Sequence, residues 1–334
     1  MSGGAAIPLP RPAEGENAPP ASTPFAPPGA LHLDINGIVD ELRALRVRSL
    51  QTRQRIGRPP KLPSRKALSG VLDGLSAALF PNRLGAPELT DEGLDYFVGY
   101  TLDNALRTLH SEVRRELRFA ANLTPEGLAQ SEIAPANAIV QAFSARLPQI
   151  RALLESDIIA AYQGDPAARS VDEVLVCYPG ITAITYHRLA HELYTLGVPL
   201  IARIISEIAH SATGIDIHPG ATIGGSFFID HGTGVVIGET CVIGERVRIY
   251  QAVTLGAKRF EVDKNGELLK GGARHPIVED DVVIYAGATI LGRITIGRGS
   301  SIGGSVWLTR SVSPNSNITQ ALVRSDEFST GGGI

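Results

Sequence analysis

The sequence is poor in cysteine, poor in aromatic residues and free of long hydrophobic runs. Its two cysteines, Cys177 and Cys241, are too few for a disulfide framework in 334 residues and form no zinc-binding Cys-x-x-Cys pair. This cysteine usage favours a reducing compartment. The start of the chain lacks the apolar core of a secretory signal, and no apolar stretch is long enough to span a bilayer. We therefore expect a cytoplasmic protein with no membrane partner.

An excess of basic charge is also missing. The chain has 31 Lys and Arg against 34 Asp and Glu, which leaves a net charge of −3 and gives no electrostatic reason to expect nucleic acid as a partner. One basic run, from Arg43 to Lys66, contains Gly57-Arg58-Pro59, a core that can lie in a DNA minor groove. A single copy in an acidic chain is more simply a solvated linker or helix face, so we expect no nucleic-acid binding.

The first 210 residues divide into two segments of different composition. Residues 1–30 are rich in Pro and Ala, which favours disorder. From 31 to 210 the apolar residues recur at helical spacing, broken at Gly164 and at Pro199, and this pattern predicts an all-α domain. One such stripe consists of Leu68, Val71, Leu72, Leu75 and Leu79.

Beyond residue 210 the aliphatic residues recur every six positions, a spacing that neither a helix nor an ordinary strand produces. Each hexapeptide is expected to form one side of a triangular prism, with the aliphatic side chain inward and small residues at the corners. The register slips by two residues between Ile229 and Ile237. We therefore predict a parallel β-helix over 211–318, with a loop insert at 257–273 and a flexible tail at 319–334. The runs are Ile217, Ile223, Ile229 and Val235; Ile237, Ile243, Ile249 and Leu255; and Val278, Ile284, Ile290, Ile296, Ile302 and Leu308.

An ordered set of short motifs accompanies the hexapeptides. They are Asp165-Pro166-Ala167-Ala168, Gly214-Ile215-Asp216-Ile217-His218-Pro219, Asp230-His231-Gly232-Thr233-Gly234, Gly238-Glu239-Thr240, Val253-Thr254-Leu255-Gly256 and Arg274-His275-Pro276. With them, the stretch from Asp165 to Ser313 resembles the serine O-acetyltransferases of the left-handed β-helix acyltransferase superfamily. The resemblance implies a left-handed coil, an exception to the right-handed rule for parallel crossovers. It also implies acetyl transfer from acetyl-CoA, a cosubstrate, to L-serine in the first step of cysteine biosynthesis, with no permanently bound cofactor.

The resemblance assigns chemical roles to six residues. It implies that His231 is the general base that takes the proton of the serine hydroxyl, and that Asp216 holds its imidazole in the correct tautomer. Asp165 and Asp230 match the ligands of the serine ammonium, and Arg274 matches the ligand of its carboxylate, which a guanidinium fork suits. His275 matches a second histidine near the hydroxyl.

The acetyl-CoA contacts are less defined by the sequence. A backbone N–H near Gly256 is a candidate donor to the oxyanion of the attacked thioester. Small residues that would let the pantetheine approach the backbone also serve to turn corners, so both roles stay open for them. The segment from Ser313 to Ala321 departs from the family pattern, which leaves the ligands of the CoA phosphates unassigned. The small residues are Ala286, Gly287, Gly303, Gly304 and Ser305.

The insert at 257–273 also departs from the family, whose relatives have a shorter glycine-rich loop and an Asp where this chain has Ala273. Asn265-Gly266 predicts a tight hairpin turn between apolar residues that include Phe260 and Leu268. We hypothesise that the insert acts as a lid or a subunit contact.

The tail and the assembly follow from the resemblance. Three glycines precede Ile334, whose free carboxylate resembles the family tail that inserts into O-acetylserine sulfhydrylase, the cysteine synthase. The family also implies a homo-trimer or a hexamer, active sites between neighbouring subunits, and feedback inhibition by cysteine.

Three other functions remain open from the sequence. The same fold could acetylate another hydroxyl acceptor, such as phosphoserine, homoserine or a sugar. His218, His231 and His275 could bind zinc as in a β-helical carbonic anhydrase, although their spacing lacks the close His pair of that group. The chain could also be a non-catalytic scaffold for cysteine synthase, which intact His231 and Asp216 argue against.

Overall fold

The computed structural model describes residues 33–52, 60–121, 133–259, 263–264, 266–269 and 271–320. The proline-rich start, the Gly57-Arg58-Pro59 core and the tail with Ile334 lie outside the described residues. The chain divides into two compact units, 1–55 and 56–334. The first contains helix α1 (Ile35–Thr52), which carries an exposed apolar stripe that includes Ile38 and Leu42.

The second unit begins with helices, as the 3.6-residue pattern predicts. Most of its predicted stripes are buried, among them Leu68, Leu72 and Leu75. None of the described helices combines the length and the apolar character needed to cross a membrane. The helices are α2 (Arg65–Leu79), α3 (Pro81–Leu84), the 3-10 turn Asp91–Gly93, α4 (Leu94–Ala121), α5 (Ile133–Gly164), α6 (Val171–Cys177), α7 (Pro179–Thr195) and α8 (Pro199–Thr213).

Helix α8 shows how sequence signals fix an element. Pro199 occupies its first turn, where a missing N–H costs nothing, and Gly214 ends it in the left-handed conformation with φ +70°. The free N–H groups of Leu200 and Ile201 each donate to the buried carboxylate of Glu116, at 2.7 Å. Helix α4 therefore caps α8 from a distance, which places α8 at the entrance to the strands.

Short parallel strands follow α8 and form three sheets. Sheet A has the order β1-β4-β7-β10-β13, sheet B β11-β8-β5-β2, and sheet C β14-β12-β9-β6-β3. From β1 to β13, successive strands therefore visit A, B and C in turn, as the sides of a triangular prism must; between β13 and β14, Val312 forms only an isolated bridge to Ile296 of sheet B. The strands are β1 (Asp216–Ile217), β2 (Thr222–Ile223), β3 (Phe228–Ile229), β4 (Val236–Ile237), β5 (Val242–Ile243), β6 (Arg248–Ile249), β7 (Thr254–Gly256), β8 (Ile277–Val278), β9 (Val283–Ile284), β10 (Thr289–Leu291), β11 (Thr295–Ile296), β12 (Ser301–Ile302), β13 (Trp307–Leu308) and β14 (Asn317–Ile318).

The six-residue period is confirmed as the core of the prism. Ladder partners pair aliphatic with aliphatic, as in Ile217 with Ile237 and Ile249 with Ile284. Nearly all predicted inward residues are buried; only Leu308, near the last coil, is half-buried. The interior is thus a continuous aliphatic column, which leaves the corners and outward positions free for chemistry.

A buried arginine joins the helices to the first coil. Arg188 on α7 forms a bidentate ion pair with Asp157 on α5, at 2.7 and 2.8 Å. The same guanidinium donates to the carbonyl oxygens of Ile223 and Gly224, and Asp157 accepts the N–H of Phe227 at 2.9 Å. This network fixes α5 and α7 against the turn between β2 and β3.

Two edges of the prism matter for the site. Corner CA is formed by the segments that lead from sheet C to sheet A, namely residues 230–235, 250–253, 285–288 and 303–306. Corner AB is formed by the segments from sheet A to sheet B, namely residues 218–221, 238–241, 292–294 and the described residues of 257–276. Sheet A separates the two corners in every coil.

Candidate active site

His231 stands at the first coil of corner CA. Its backbone has φ +57°, followed by Gly232 at φ +90°, in the left-handed region that glycine adopts freely and histidine more readily than most residues. The imidazole is 72% exposed, and its Nε2 lies 3.8 Å from Oδ1 of Asp230. An exposed imidazole beside a carboxylate is suited to accept a proton from a bound alcohol.

Asp165 and Asp230 approach this imidazole from two elements. Asp230 follows β3 and is buried, whereas Asp165 follows the last residue of α5. The pKa of Asp165 is lowered mainly by a hydrogen bond from Tyr178, and the charges of Arg248 and His231 lower it further, which places Asp165 near both groups. Two neighbouring carboxylates can receive an ammonium group, as the resemblance implies for this pair.

Tyr178 holds Asp165 in its ionised form. The phenol donates to Oδ2 of Asp165 at 2.5 Å, and the N–H of Ala167 donates to Oδ1 at 2.8 Å. These hydrogen bonds lower the pKa of Asp165, and the same contact raises the pKa of Tyr178 to about 12. The carboxylate is therefore charged and oriented at neutral pH.

Asp216 lies on β1, in sheet A, directly after α8. Its carboxylate and the ligand atoms of Glu207 and His210 lie within 4.8 Å of one another. Across the described residues, the structure records no hydrogen bond or ion pair between Asp216 and His231. The role of Asp216 stays a prediction.

Arg274 occupies the other corner. Its guanidinium donates to Oε2 of Glu239 at 2.6 Å, and Tyr194 donates to Oε1 of the same carboxylate at 3.0 Å. Burial alone would raise the pKa of Glu239, but these two hydrogen bonds outweigh it and the pKa lies below its ordinary value. Corner AB thus presents a fixed guanidinium, which is the group that a substrate carboxylate requires.

His275 is fixed beside Arg274 by the β4–β5 turn. Its Nδ1 accepts the backbone N–H of Thr240 at 3.1 Å, so the neutral ring carries its proton on Nε2. Burial lowers the pKa of His275, with Arg274 lowering it further, so the ring is neutral at pH 7. A Cβ on Gly238 would lie 2.0 Å from this ring, so only glycine leaves space for it.

The predicted substrate ligands therefore fall into two groups within one chain. His231, Asp230 and Asp165 belong to corner CA, and Arg274 and His275 belong to corner AB. The path across sheet A from Gly234 to Glu239 is five residues, or roughly 16 Å at the rise of an extended strand. A serine molecule is too short to touch both corners of the same subunit.

The small residues predicted to approach CoA lie along corner CA, below His231. Gly287 and Ser305 turn there with φ +72° and +57°, and each donates its N–H to the coil before it. Gly256 is placed differently, at the end of β7 on the corner AB side of sheet A. The five residues on corner CA are Ala286, Gly287, Gly303, Gly304 and Ser305.

The insert is described only in part. The N–H of Gly266 donates to the carbonyl of Asp263 at 3.1 Å, and Glu267 bonds back to Asp263, which forms a tight turn at the predicted position. Residues 260–262, 265 and 270 lie outside the described residues, so the lid hypothesis stays a prediction.

The zinc alternative finds no support in the geometry. Within the described ranges, the one cluster with metal-ligand spacing is Glu207, His210 and Asp216, and it includes none of the three proposed histidines. His218 accepts the N–H of Gly220 through Nδ1, and burial lowers its pKa to about 4. These contacts fit a structural role for His218 in the turn that follows β1.

Sequence reasoning missed three polar residues of these sites: Tyr178, Glu239 and Arg248. Glu239 stands in a motif that was singled out, but its partner Arg274 is 35 positions away. Arg248 faces outward from β6, where the six-residue period carries no information. Tyr178 lies between α6 and α7 and belongs to none of the motifs, so nothing in the sequence indicates its contact with Asp165.

Known proteins were compared with the chain. No protein-family model matches it. A protein of Synechococcus elongatus named "Serine acetyltransferase, plasmid" is 64% identical over 275 residues, which cover 82% of this chain and 86% of that protein. The serine acetyltransferase of Bacillus subtilis is 52% identical over 157 residues, which cover 47% of this chain and 68% of that protein.

Solved structures give the same picture. Serine acetyltransferase 1 of Entamoeba histolytica in complex with L-cysteine has a TM-score of 0.65 and 37% identity, over 85% of this chain and 98% of that one. Isoform 3 from the same organism, in complex with cysteine, has a TM-score of 0.63 and 33% identity, over 88% and 98%. The prism of these structures is a left-handed β-helix, which confirms the predicted fold.

Proposed function

The chain belongs to the serine acetyltransferase family and is an acyltransferase, and from this premise we propose that it makes O-acetyl-L-serine with His231 as the general base. The observation that carries the proposal is the meeting of His231, Asp230 and Asp165 at corner CA. The resemblance assigns these three side chains to one substrate; His231 and Asp230 follow β3 and Asp165 follows α5, and the three lie near one another there. Acetyl-CoA is the proposed cosubstrate.

The proposed reaction uses one proton and one acyl group. Nε2 of His231 takes the proton of the serine hydroxyl as the oxygen attacks the thioester carbon of acetyl-CoA. The tetrahedral intermediate collapses, the C–S bond breaks, and the imidazolium returns the proton to the CoA sulfur. Asp216 is proposed to stabilise the imidazolium once the ring turns toward it.

Substrate orientation is proposed to come from charges of opposite sign. The ammonium of serine lies between Asp165 and Asp230, and its carboxylate meets Arg274. His275 can donate through Nε2, since its Nδ1 already accepts from Thr240. These contacts support a free amino acid as acceptor, rather than a sugar, which offers neither charge.

We propose that neighbouring subunits complete the site. Corner CA of one prism would face corner AB of the next in a closed trimer, because a ring interface joins two different surface patches. The separation of Arg274 from His231 by the width of sheet A supports this arrangement. Pantetheine is proposed to run along corner CA, past Gly287 and Ser305, toward His231.

Cysteine is proposed as a feedback inhibitor. It carries the same ammonium and carboxylate as serine and would meet Asp165, Asp230 and Arg274. The E. histolytica enzymes with cysteine bound support this proposal. We also propose binding of O-acetylserine sulfhydrylase through the C-terminal Ile334, and a cytoplasmic location. Two free cysteines among the described residues, Cys177 and Cys241, suit the reducing environment of the latter.

An acceptor panel tests the function. CoA release from acetyl-CoA is measured with L-serine, L-homoserine, O-phospho-L-serine and the uncharged sugar glucose, and acetylation of the acceptor is confirmed by mass spectrometry. We expect L-serine to give the highest kcat/KM. A higher value for phosphoserine or a sugar would replace the proposed acceptor, and absence of thiol release with any acceptor would favour the scaffold.

A further inference from the structure

Arg248 has no role in the sequence analysis, yet its guanidinium lies between Asp230 and the Gly164–Asp165 turn. We propose that Arg248 is a positioning residue that sets the ammonium site: it holds Asp230 against the Gly164–Asp165 turn, so that the two carboxylates receive the substrate ammonium as a unit. The inference rests on the proposed function, in which Asp165 and Asp230 bind that ammonium.

The guanidinium uses its two terminal nitrogens on two different elements. One donates to Oδ2 of Asp230 at 2.6 Å, and the other donates to the carbonyl oxygen of Gly164 at 2.6 Å. Asp230 follows β3, and Gly164 directly precedes Asp165 at the end of α5. A single planar group therefore links the backbone that carries one carboxylate to the side chain of the other.

Aromatic rings fix the orientation of this fork. The guanidinium carbon lies 4.9 Å from the ring centre of Phe228 and 4.6 Å from that of Tyr250. Both distances are within the range of cation–π contacts. The side chain is only 24% exposed, and its Nε is buried without a hydrogen-bond partner. A long side chain held in this way has little freedom left to lose when substrate binds.

The approach of α5 to the strand depends on glycine. A Cβ at Gly164 would lie 2.9 Å from the Phe228 ring and 3.5 Å from the near terminal nitrogen of Arg248. Gly164 thus allows its own carbonyl to reach Arg248. Because Asp165 is the next residue, its position is set by the same contact.

Charge explains why the arrangement favours an ammonium rather than excluding it. Arg248 occupies only Oδ2 of Asp230, and Oδ1 faces His231. Asp165 is held by Tyr178 and Ala167, which are neutral donors. The two carboxylates and one guanidinium leave a net charge of −1, which one ammonium neutralises.

Binding of serine and of 3-hydroxypropionate tests the inference. The second compound keeps the hydroxyl and the carboxylate but lacks the ammonium, so the ratio of the two Kd values isolates the ammonium contribution. Both are measured by isothermal titration calorimetry on the full-length enzyme, for wild type, R248M, R248K and D230N. The matched control is R246M. Arg246 is a neighbouring arginine just before β6, but it pairs with Asp281 at 2.6 Å instead of Asp230.

In R248M we expect the Kd of serine to rise about tenfold, which corresponds to the loss of one charge-assisted hydrogen bond. The Kd of 3-hydroxypropionate should change by less than about twofold. R248K, which cannot reach both partners, should lie between wild type and R248M, and R246M should match wild type. In turnover, the KM for serine should rise more than kcat falls. If R248M does not fold by circular dichroism, R248K decides.

The outcomes separate the two proposals. If D230N lowers the discrimination between the two compounds and the Arg248 variants do not, the role of Arg248 is wrong and the ammonium site stands. If neither D230N nor the Arg248 variants change this discrimination, Asp230 is not an ammonium ligand, and both the role of Arg248 and the proposed ammonium site are wrong. Tighter serine binding in R248M would also overturn the inference, because Arg248 would then compete with the ammonium.

Discussion

Mixed trimers provide a sharp test of a site divided between corners. Two variants are prepared, H231N, which damages corner CA, and R274Q, which damages corner AB and leaves a neutral amide beside Glu239. Each alone should be nearly inactive as a homo-trimer. When the two are unfolded together and refolded, or co-expressed with different tags, hybrid trimers should regain activity.

The magnitude follows from the geometry. In the proposed trimer, each site takes corner CA from one subunit and corner AB from the next in the ring. In a random equal mixture, the first subunit has an intact His231 half of the time, and its neighbour has an intact Arg274 half of the time. About one quarter of the sites should therefore be complete in a closed ring.

A second mixture controls for this reasoning. Wild type is mixed equally with the double variant H231N/R274Q. Sites shared between subunits again predict about one quarter of full activity, whereas sites within one subunit predict about one half, because every wild-type chain would stay active. The assay is CoA release at saturating L-serine, after tandem-tag purification shows that hybrids exist.

Hybrid trimers of H231N and R274Q without activity, together with one-half activity in the second mixture, would refute the divided site. That result would mean that Arg274 reaches His231 across sheet A in one chain, against the separation of the two corners.

Four further predictions concern single groups. H231N should lower kcat/KM by about 10²–10⁴-fold, the usual contribution of a general base, without changing Tm. Burial lowers the pKa of His187 well below its ordinary value, so below about pH 6.5 the unfolded chain binds a proton that the native chain does not. The free energy of unfolding of the wild type should therefore fall as the pH decreases, by about 1.4 kcal/mol per pH unit more than that of H187Q. Urea unfolding at several pH values measures the difference. R188M should cost about 3–5 kcal/mol in the same assay, because it leaves the carboxylate of Asp157 buried and unpaired. Deletion of Ile334 should abolish binding to O-acetylserine sulfhydrylase in calorimetry while acetyl transfer is retained.

Each of these predictions has an outcome that contradicts it. Full turnover in folded H231N would remove the general base. Parallel pH profiles for H187Q and wild type would show that His187 is protonated in the native state. If R188M/D157L is no more stable than R188M, the loss is not due to an uncompensated charge. Undiminished sulfhydrylase binding after the deletion would exclude the tail.

The β-helix was predictable because its core obeys one rule. An inward position recurs every sixth residue, and only an aliphatic side chain fits there, so runs such as Ile290, Ile296 and Ile302 identify the fold. The helices were predictable for the same reason, through buried stripes with glycine or proline at the breaks, as at Gly164 and Pro199. In both cases burial imposes the pattern on the sequence.

The division of the site between corners was harder to foresee. Motif order along the chain says nothing about distance in space, and the long insert before Arg274 hides its place in the period. Counting backwards from the inward Val278 would have placed Arg274 and His275 before a sheet B strand, hence on corner AB. Outward residues such as Arg248 obey no period, because solvent, a substrate or a partner can all satisfy them.

The two-residue slip in the period has a physical meaning that joins fold and function. Later coils turn corner CA with one residue at positive φ, namely Ala252, Gly287 or Ser305. The first coil has the same turn at Gly234 and, before it, the additional pair His231 and Gly232, both at positive φ. The two extra residues are therefore the element that lifts the imidazole out of the corner.

Neighbouring residues accommodate this bulge in the backbone. A Cβ at Gly232 would lie 2.4 Å from Cδ1 of Ile215, so the second extra residue must be glycine. The backbone rejoins the ladder of parallel strands at Gly234, whose N–H donates to the carbonyl of Gly214 at 2.9 Å. The column of inward aliphatic residues then resumes at Ile237 without a gap. One interruption of the repeat, compatible with the core on both sides, therefore supplies the residue on which the proposed chemistry depends.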